Sequence, residues 1–326
     1  MLRVALLLVI YAVLVCSLSS LNYPKRVKPY NYTNKPNTLF FKNTFKSFSE
    51  KVNKIGDKVV GSVSTAIDKI SAPNVVARVL DKRFLNFDDY IAVKFAHDAY
   101  RSGRALPDTI PNKHQWRVEL VSEIPSQSVV TKIYVNDHLG LVVVSYKGTD
   151  SISNVIHDLQ SLEILSNVVV HNVNVGRVAN GFLNVYKMNI QAIEKAVAPY
   201  ISKNYRLIFT GHSLGGATST IGALSTAIAY PSANIKLITF ASPMVGDGNF
   251  KNMVESRIGV IHRWVSQWTN LFTRRTDYDD ITQLPPYSFM KHVGERASIV
   301  CPYSINLKCH PIADGYIRGM DNDYKG

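Results

Sequence analysis

The sequence predicts an α/β fold, a largely parallel central sheet flanked by helices. Three observations predict it. From about residue 84 onward, β-branched apolar runs alternate with segments of helical period. The chain has 326 residues, 46% of them hydrophobic, which suits one large domain with a substantial core. A serine between glycines also joins a wholly apolar run to a helix start, the tight connection of a strand-turn-helix unit.

The elements follow in order. Residues 1–20 read as a secretory signal: Arg3, then the apolar run Val4 to Val15, then small residues. The run is short for a membrane span, and an uncleaved signal-anchor is the alternative. Asn31-Tyr32-Thr33 is a glycosylation sequon. Residues 21–83 form a basic linker and an amphipathic segment, in which Phe45, Phe48, Val52, Ile55, Val59, Val63, Ile67 and Ile70 recur at spacings of three and four. A pro-segment, a membrane-surface helix and an ordinary N-terminal helix all fit that stripe. Dibasic Lys25-Arg26 and Lys82-Arg83 are candidate processing sites.

Residues 84–326 form the expected catalytic domain. Helical pattern covers 91–100, 184–200 and 214–229; strand pattern covers 129–135, 139–146, 205–210 and 235–241. Asn136-Asp137-His138 reads as a hairpin turn. The formal charge of +13 does not imply nucleic-acid binding, because of where it lies. Residues 1–83 hold 14 Lys/Arg against 4 Asp/Glu, whereas residues 84–326 hold 23 against 20. Cys301 and Cys309 remain after the signal, an even pair able to close a small loop in an oxidising compartment.

Gly211-His212-Ser213-Leu214-Gly215 is a G-x-S-x-G pattern between the apolar run Leu207 to Phe209 and a helix start. The serine must occupy unfavourable backbone angles on a very tight turn, and flanking glycines remove side chains that would collide there. The turn lifts the hydroxyl toward substrate and points helix N-terminal N–H groups at a developing oxyanion. Serine needs a histidine base and a carboxylate to orient it.

Several blocks, in order, resemble the class 3 lipases, a family of α/β-hydrolase-like fungal triacylglycerol lipases. Tyr146-Lys147-Gly148-Thr149-Asp150-Ser151 is similar to the family's F-R-G-S/T-x-S. Asn154-Val155-Ile156-His157-Asp158-Leu159 is similar to its lid block N-W-I-x-D-L. Gly181-Phe182-Leu183-x-x-Tyr186, Phe240-Ala241-Ser242-Pro243-x-Val245-Gly246 and Asp279-Asp280-Ile281-Thr282-Gln283-Leu284-Pro285-Pro286 resemble three further blocks. The resemblance covers residues 90–292 and continues more weakly to the end. It implies Ser213 as nucleophile and Asp279 as the acid, with Asp277 and Asp280 as rivals. It implies Thr149 (hydroxyl and N–H) and Leu214 (N–H) as oxyanion donors, each typically worth ~3 kcal/mol. A mobile lid helix over 150–163 is implied, with Ile152, Val155, Ile156, Leu159 and Leu162 as its apolar face. Val155 stands where the family has tryptophan.

His262, His292 and His310 follow Ser213. His262 precedes the acid, against the expected order, and His292 resembles a family histidine that is not catalytic, which leaves His310. The family's histidine has a tyrosine three residues later; here Tyr316 comes six later. The Cys301-x7-Cys309 spacing resembles a pair in secreted yeast lipases. The resemblance implies no metal or organic cofactor, and a lipid ester at an oil-water or membrane interface as the partner. Oligomeric state is not legible. Phospholipase A1 or soluble esterase activity is the near alternative. An inactive homologue that binds lipid or a partner protein is the alternative of another class.

Overall fold

A computed structural model describes residues 75–124, 128–149, 165–269, 275–285, 287–303 and 306–326, all within one compact unit, Ser64–Gly326. The expected signal, the sequon at Asn31, the amphipathic segment and the lid residues Ile152, Val155, Ile156 and Leu159 lie outside the described residues.

The main sheet is built from β1 (Arg78–Val79), β2 (Arg117–Ile124), β3 (Val129–Asn136), β4 (Leu141–Tyr146), β7 (Arg206–His212), β8 (Ile235–Phe240), β10 (Val260–Thr269) and β13 (Glu295–Val300). Its order is β1-β13-β10-β8-β7-β4-β3-β2, and β11 (Thr276–Tyr278) pairs with β10. The inner strands β4, β7, β8, β10 and β13 are mutually parallel, as expected, while β1, β2, β3 and β11 join antiparallel. Strands covered on both faces carry apolar side chains at successive positions. Leu207, Ile208 and Phe209 of β7 are accordingly all buried.

One core lies between the sheet and two helices, α2 (Asn180–Ile201) and α3 (Leu214–Ala229). The other face is covered by α1 (Phe87–Asp98), with Tyr316 and Met320 of the C-terminal segment beside it. Helix α1 starts where Asn86 accepts hydrogen bonds from the Asp88 and Asp89 N–H groups. A smaller sheet, β12 (Met290–Lys291), β9 (Gly246–Asp247), β6 (Val173–Ala179) and β5 (Leu165–Val170), was not foreseen. The turn after β3 is also longer than expected. Strand β4 begins only at Leu141, and Asn136 Oδ1 accepts from Leu139 N–H at 3.0 Å.

The sheet takes in Arg78–Val79, upstream of residue 84 where the catalytic domain was expected to start. Lys82 and Arg83 form ion pairs with Asp323 and Glu295.

Candidate active site

The candidate site assembles at the carboxyl ends of the parallel strands, where open α/β sheets bind ligands. Thr149 follows β4, Ser213 follows β7, and His310 follows β13. Asp279 directly follows β11, and its N–H donates to Ser266 O of β10 at 3.0 Å.

Ser213 has φ 57° and ψ −123°, left-handed for a residue with a side chain. Close packing explains why this strain is held. A Cβ at Gly211 would overlap the Gly215 carbonyl group, and one at Gly215 would overlap the Tyr146 carbonyl oxygen. Only a side-chain-free turn lets α3 descend this close to β4 and β7. The Ser213 N–H is held by Phe240 O at 2.9 Å. Ser213 is fully buried, and its Oγ has no hydrogen-bond partner among the described residues. Leu214 opens α3, so its N–H belongs to the first turn, which has no intrahelical acceptor. Thr149 and Leu214 are both half-buried.

Asp279 is fully buried yet accepts from three donors. His310 Nδ1 lies 2.8 Å from Oδ2 and 3.0 Å from Oδ1, Tyr316 Oη donates to Oδ2 at 2.8 Å, and Ile281 N–H donates to Oδ1 at 3.1 Å. A carboxylate so placed holds a proton on His310 Nδ1 and leaves Nε2 as the basic nitrogen. Burial and the Asp279 charge push the Tyr316 phenol well up, so it stays a donor.

The middle histidine of the motif has a role that sequence reasoning missed. His212 Nε2 lies 2.8 Å from the His310 carbonyl, and its Nδ1 lies 2.9 Å from Tyr100 Oη. A carbonyl only accepts, so Nε2 carries the proton and Nδ1 accepts from Tyr100. Burial, then the neighbouring His310, drives the His212 pKa well down, which suits this neutral form. A chain Tyr100–His212–His310 thus anchors the backbone of the candidate base. Nothing in the spacing of Tyr100 signals it.

The rivals are placed elsewhere. Asp280 is exposed. His262 Nδ1 sits 2.7 Å from Asp89 Oδ1, near the start of β10. Burial, then repulsion by Arg263, lowers the His292 pKa to about 3. Cys301 and Cys309 are joined in a disulfide immediately before His310.

Residues 143–286 match the family model described as lipase (class 3). Over this segment the chain is similar to the class 3 lipases. A secreted mono- and diacylglycerol lipase of Malassezia globosa is 30% identical over 139 residues, 41% of this chain and 45% of that protein. A lipase of Rhizomucor miehei is 32% identical over 166 residues, 47% of this chain and 40% of its own length. The chain therefore spans less than half the length of these curated relatives. Among solved structures, the Rhizomucor miehei lipase–propeptide complex superposes with a TM-score of 0.55 at 23% identity, over 68% of this chain and 70% of that one. Lipase II from Rhizopus niveus does so with 0.55 at 20%, over 68% and 83%. At such identities the likeness establishes the fold, of α/β-hydrolase type.

Proposed function

We propose that this chain is a member of the class 3 lipases, a secreted serine hydrolase that cleaves carboxylic ester bonds of acylglycerols through Ser213, His310 and Asp279. Two observations carry the reading together, the buried His310–Asp279 pair and a strained serine at a helix start. In the proposed reaction His310 Nε2 takes the Ser213 proton as Oγ attacks the ester carbonyl. Asp279 stabilises the imidazolium that results. Leu214 N–H, with the N–H and hydroxyl of Thr149, receives the oxyanion. Collapse transfers the proton from His310 to the leaving alcohol and leaves an acyl-Ser213. Water, activated by the same histidine, then releases the acid. Because Ser213 is fully buried, substrate access requires a segment to move aside, and residues 150–163 are the proposed lid.

Secretion is supported by the names of the Malassezia globosa and Fusarium solani relatives and by the disulfide, a bond of oxidising compartments. A fluorophosphonate probe tests the chemistry. It labels Ser213 in the folded protein and fails on Ser213→Ala; no labelling of the parent protein refutes the reading. Hydrolysis of emulsified against monomeric esters tests the substrate class, and equal rates on both sink the lipase assignment.

A further inference from the structure

Arg263 lies outside the proposed chemistry and is an electrostatic anomaly. In the parallel register of β8, β10 and β13 it stands between Thr239 and Arg296, so the three share one face of the sheet. Its neighbour Trp264 points to the opposite face, into the α1-side core. Arg263 is only 9% exposed, its Nε is buried without a partner, and it forms no hydrogen bond or ion pair among the described residues. Buried guanidinium groups are normally paired with carboxylates, and an unpaired one is strongly unfavourable. Arg296 repels it instead, and burial with that repulsion lowers its pKa to about 10.

A second orphan adjoins it. His292 Nδ1 is also buried and unpartnered, and His292 is electrostatically coupled to both Arg263 and Arg296. The Thr282 backbone favours a proton on the His292 ring, and with Nδ1 unpartnered that proton is assigned to Nε2. Nε2 then carries the proton, and Nδ1 presents a lone pair. Arg263 therefore needs an acceptor with negative charge, and His292 needs a donor. One small species supplies both, an oxyanion that retains a hydroxyl.

We propose that Arg263 and His292, with Arg296 at the rim, form a binding site for a hydrogen phosphate group behind the turn that carries Asp279. The phosphate oxygens accept from the Arg263 guanidinium, and its P–OH donates to His292 Nδ1. Sulfate, fully ionised at neutral pH, satisfies the arginine but not the histidine. The same chemistry belongs to free phosphate and to the phosphomonoester headgroup of phosphatidic acid.

Thermal unfolding of the full chain at pH 7 and matched ionic strength tests the site. Inorganic phosphate at 10 mM (about the range for a weak anion site) is expected to raise Tm more than sulfate, and sulfate more than chloride. The shift is expected to vanish in Arg263→Gln and Arg263→Leu. Arg263→Leu keeps the test sound if the glutamine variant fails to fold, since removing an uncompensated buried charge is expected to raise the baseline Tm. Arg296→Gln, at the exposed rim, is expected to weaken the 31P line broadening of phosphate several-fold. Short-chain phosphatidic acid below its micelle threshold separates the sources. An Arg263-dependent shift with this lipid alone assigns the site to a headgroup, and one with phosphate alone assigns it to the free ion. Equal shifts with phosphate and chloride, together with no Arg263-dependent shift from the lipid, overturn the proposal. So do shifts that persist in both Arg263 variants.

Discussion

Replacing Asp279 with asparagine separates orientation of the base from mere packing, because the structure dictates how the amide must sit. Ile281 N–H donates to Oδ1, so an amide nitrogen there would face a donor with a donor. The asparagine oxygen therefore keeps the Oδ1 position, and the NH2 group takes the place of Oδ2. That places it against His310 Nδ1 and Tyr316 Oη, both now donating to a carboxylate at 2.8 Å. Nδ1 can meet an N–H only by giving up its own proton. The imidazole then carries hydrogen on Nε2, and the nitrogen assigned to deprotonate Ser213 becomes a donor. In serine triads this tautomer error costs roughly 10⁴ in kcat, or about 5.4 kcal/mol of barrier. The expected outcome for Asp279→Asn is a fall of that order on a soluble short-chain ester. KM is little changed, because the carboxylate is buried behind the histidine. Far-ultraviolet circular dichroism and Tm would establish that the variant is folded. Retention of a tenth or more of kcat would refute the reasoning. So would an equal loss in Asp280→Asn, whose side chain is exposed.

Three further outcomes are expected. Tyr316→Phe removes one donor from Asp279 and the acceptor of the Ser266 N–H, bonded at 3.2 Å; it should cost about 1.5–3 kcal/mol in urea unfolding, as hydrogen bonds to charged groups do. Unchanged stability would contradict this. Reducing Cys301–Cys309, which are 8 apart in sequence, should cost about 2–3 kcal/mol on the chain-entropy account and lower kcat by freeing the segment that presents His310. Full activity in reductant, with both thiols titrated as free, would count against it. Acidification should destabilise the fold as pH falls below the ordinary histidine value of about 6.5. His292 at about 3 and the depressed His212 bind fewer protons folded than unfolded, so stability is full above that pH and is lost from there down toward the folded values. In phosphate-free buffer the loss between pH 7 and pH 5 is about 2 kcal/mol for His292 alone; a His292→Gln variant with the parent's pH slope would exclude that histidine as a source.

The elements legible in the sequence were those whose side chains answer to one local pattern. Helix α3 matches its expected range of 214–229 because a glycine-serine turn starts it and small residues run through it. Strand β7 was legible from an apolar run too short for a helix. The missed strands carry weaker patterns. β5 and β6 alternate only in part and carry Asn167, Asn174 and Arg177, with a register shift between Asn167 and Val169. β2 lies at the sheet edge, has no buried residue and is interrupted between Val118 and Leu120. At the site, Ser213 is announced by its glycines because the constraint is steric and local. The Tyr100–His212–His310 chain is not, since it joins the end of α1, the elbow and the C-terminal segment through single contacts separated by 112 and 98 residues.

The spacing between His310 and Tyr316 shows how a local departure can preserve a remote geometry. Residues three or four apart on an α-helix share a face, so a tyrosine six residues after a histidine would point away from it. Here the segment Ala313–Ile317 is a π-helical turn, wider than an α-turn, and it carries Tyr316 back to the carboxylate that His310 meets. That turn is pressed so closely onto the Cys309 carbonyl that a Cβ at Gly315 would overlap it. Cys309 is tied to Cys301, which follows β13 and donates its N–H to Gln267 O of β10 at 2.9 Å. The extra residues between histidine and tyrosine are therefore taken up in a turn whose base is fixed to the sheet. Disulfide, glycine and widened turn together bring both donors to Asp279.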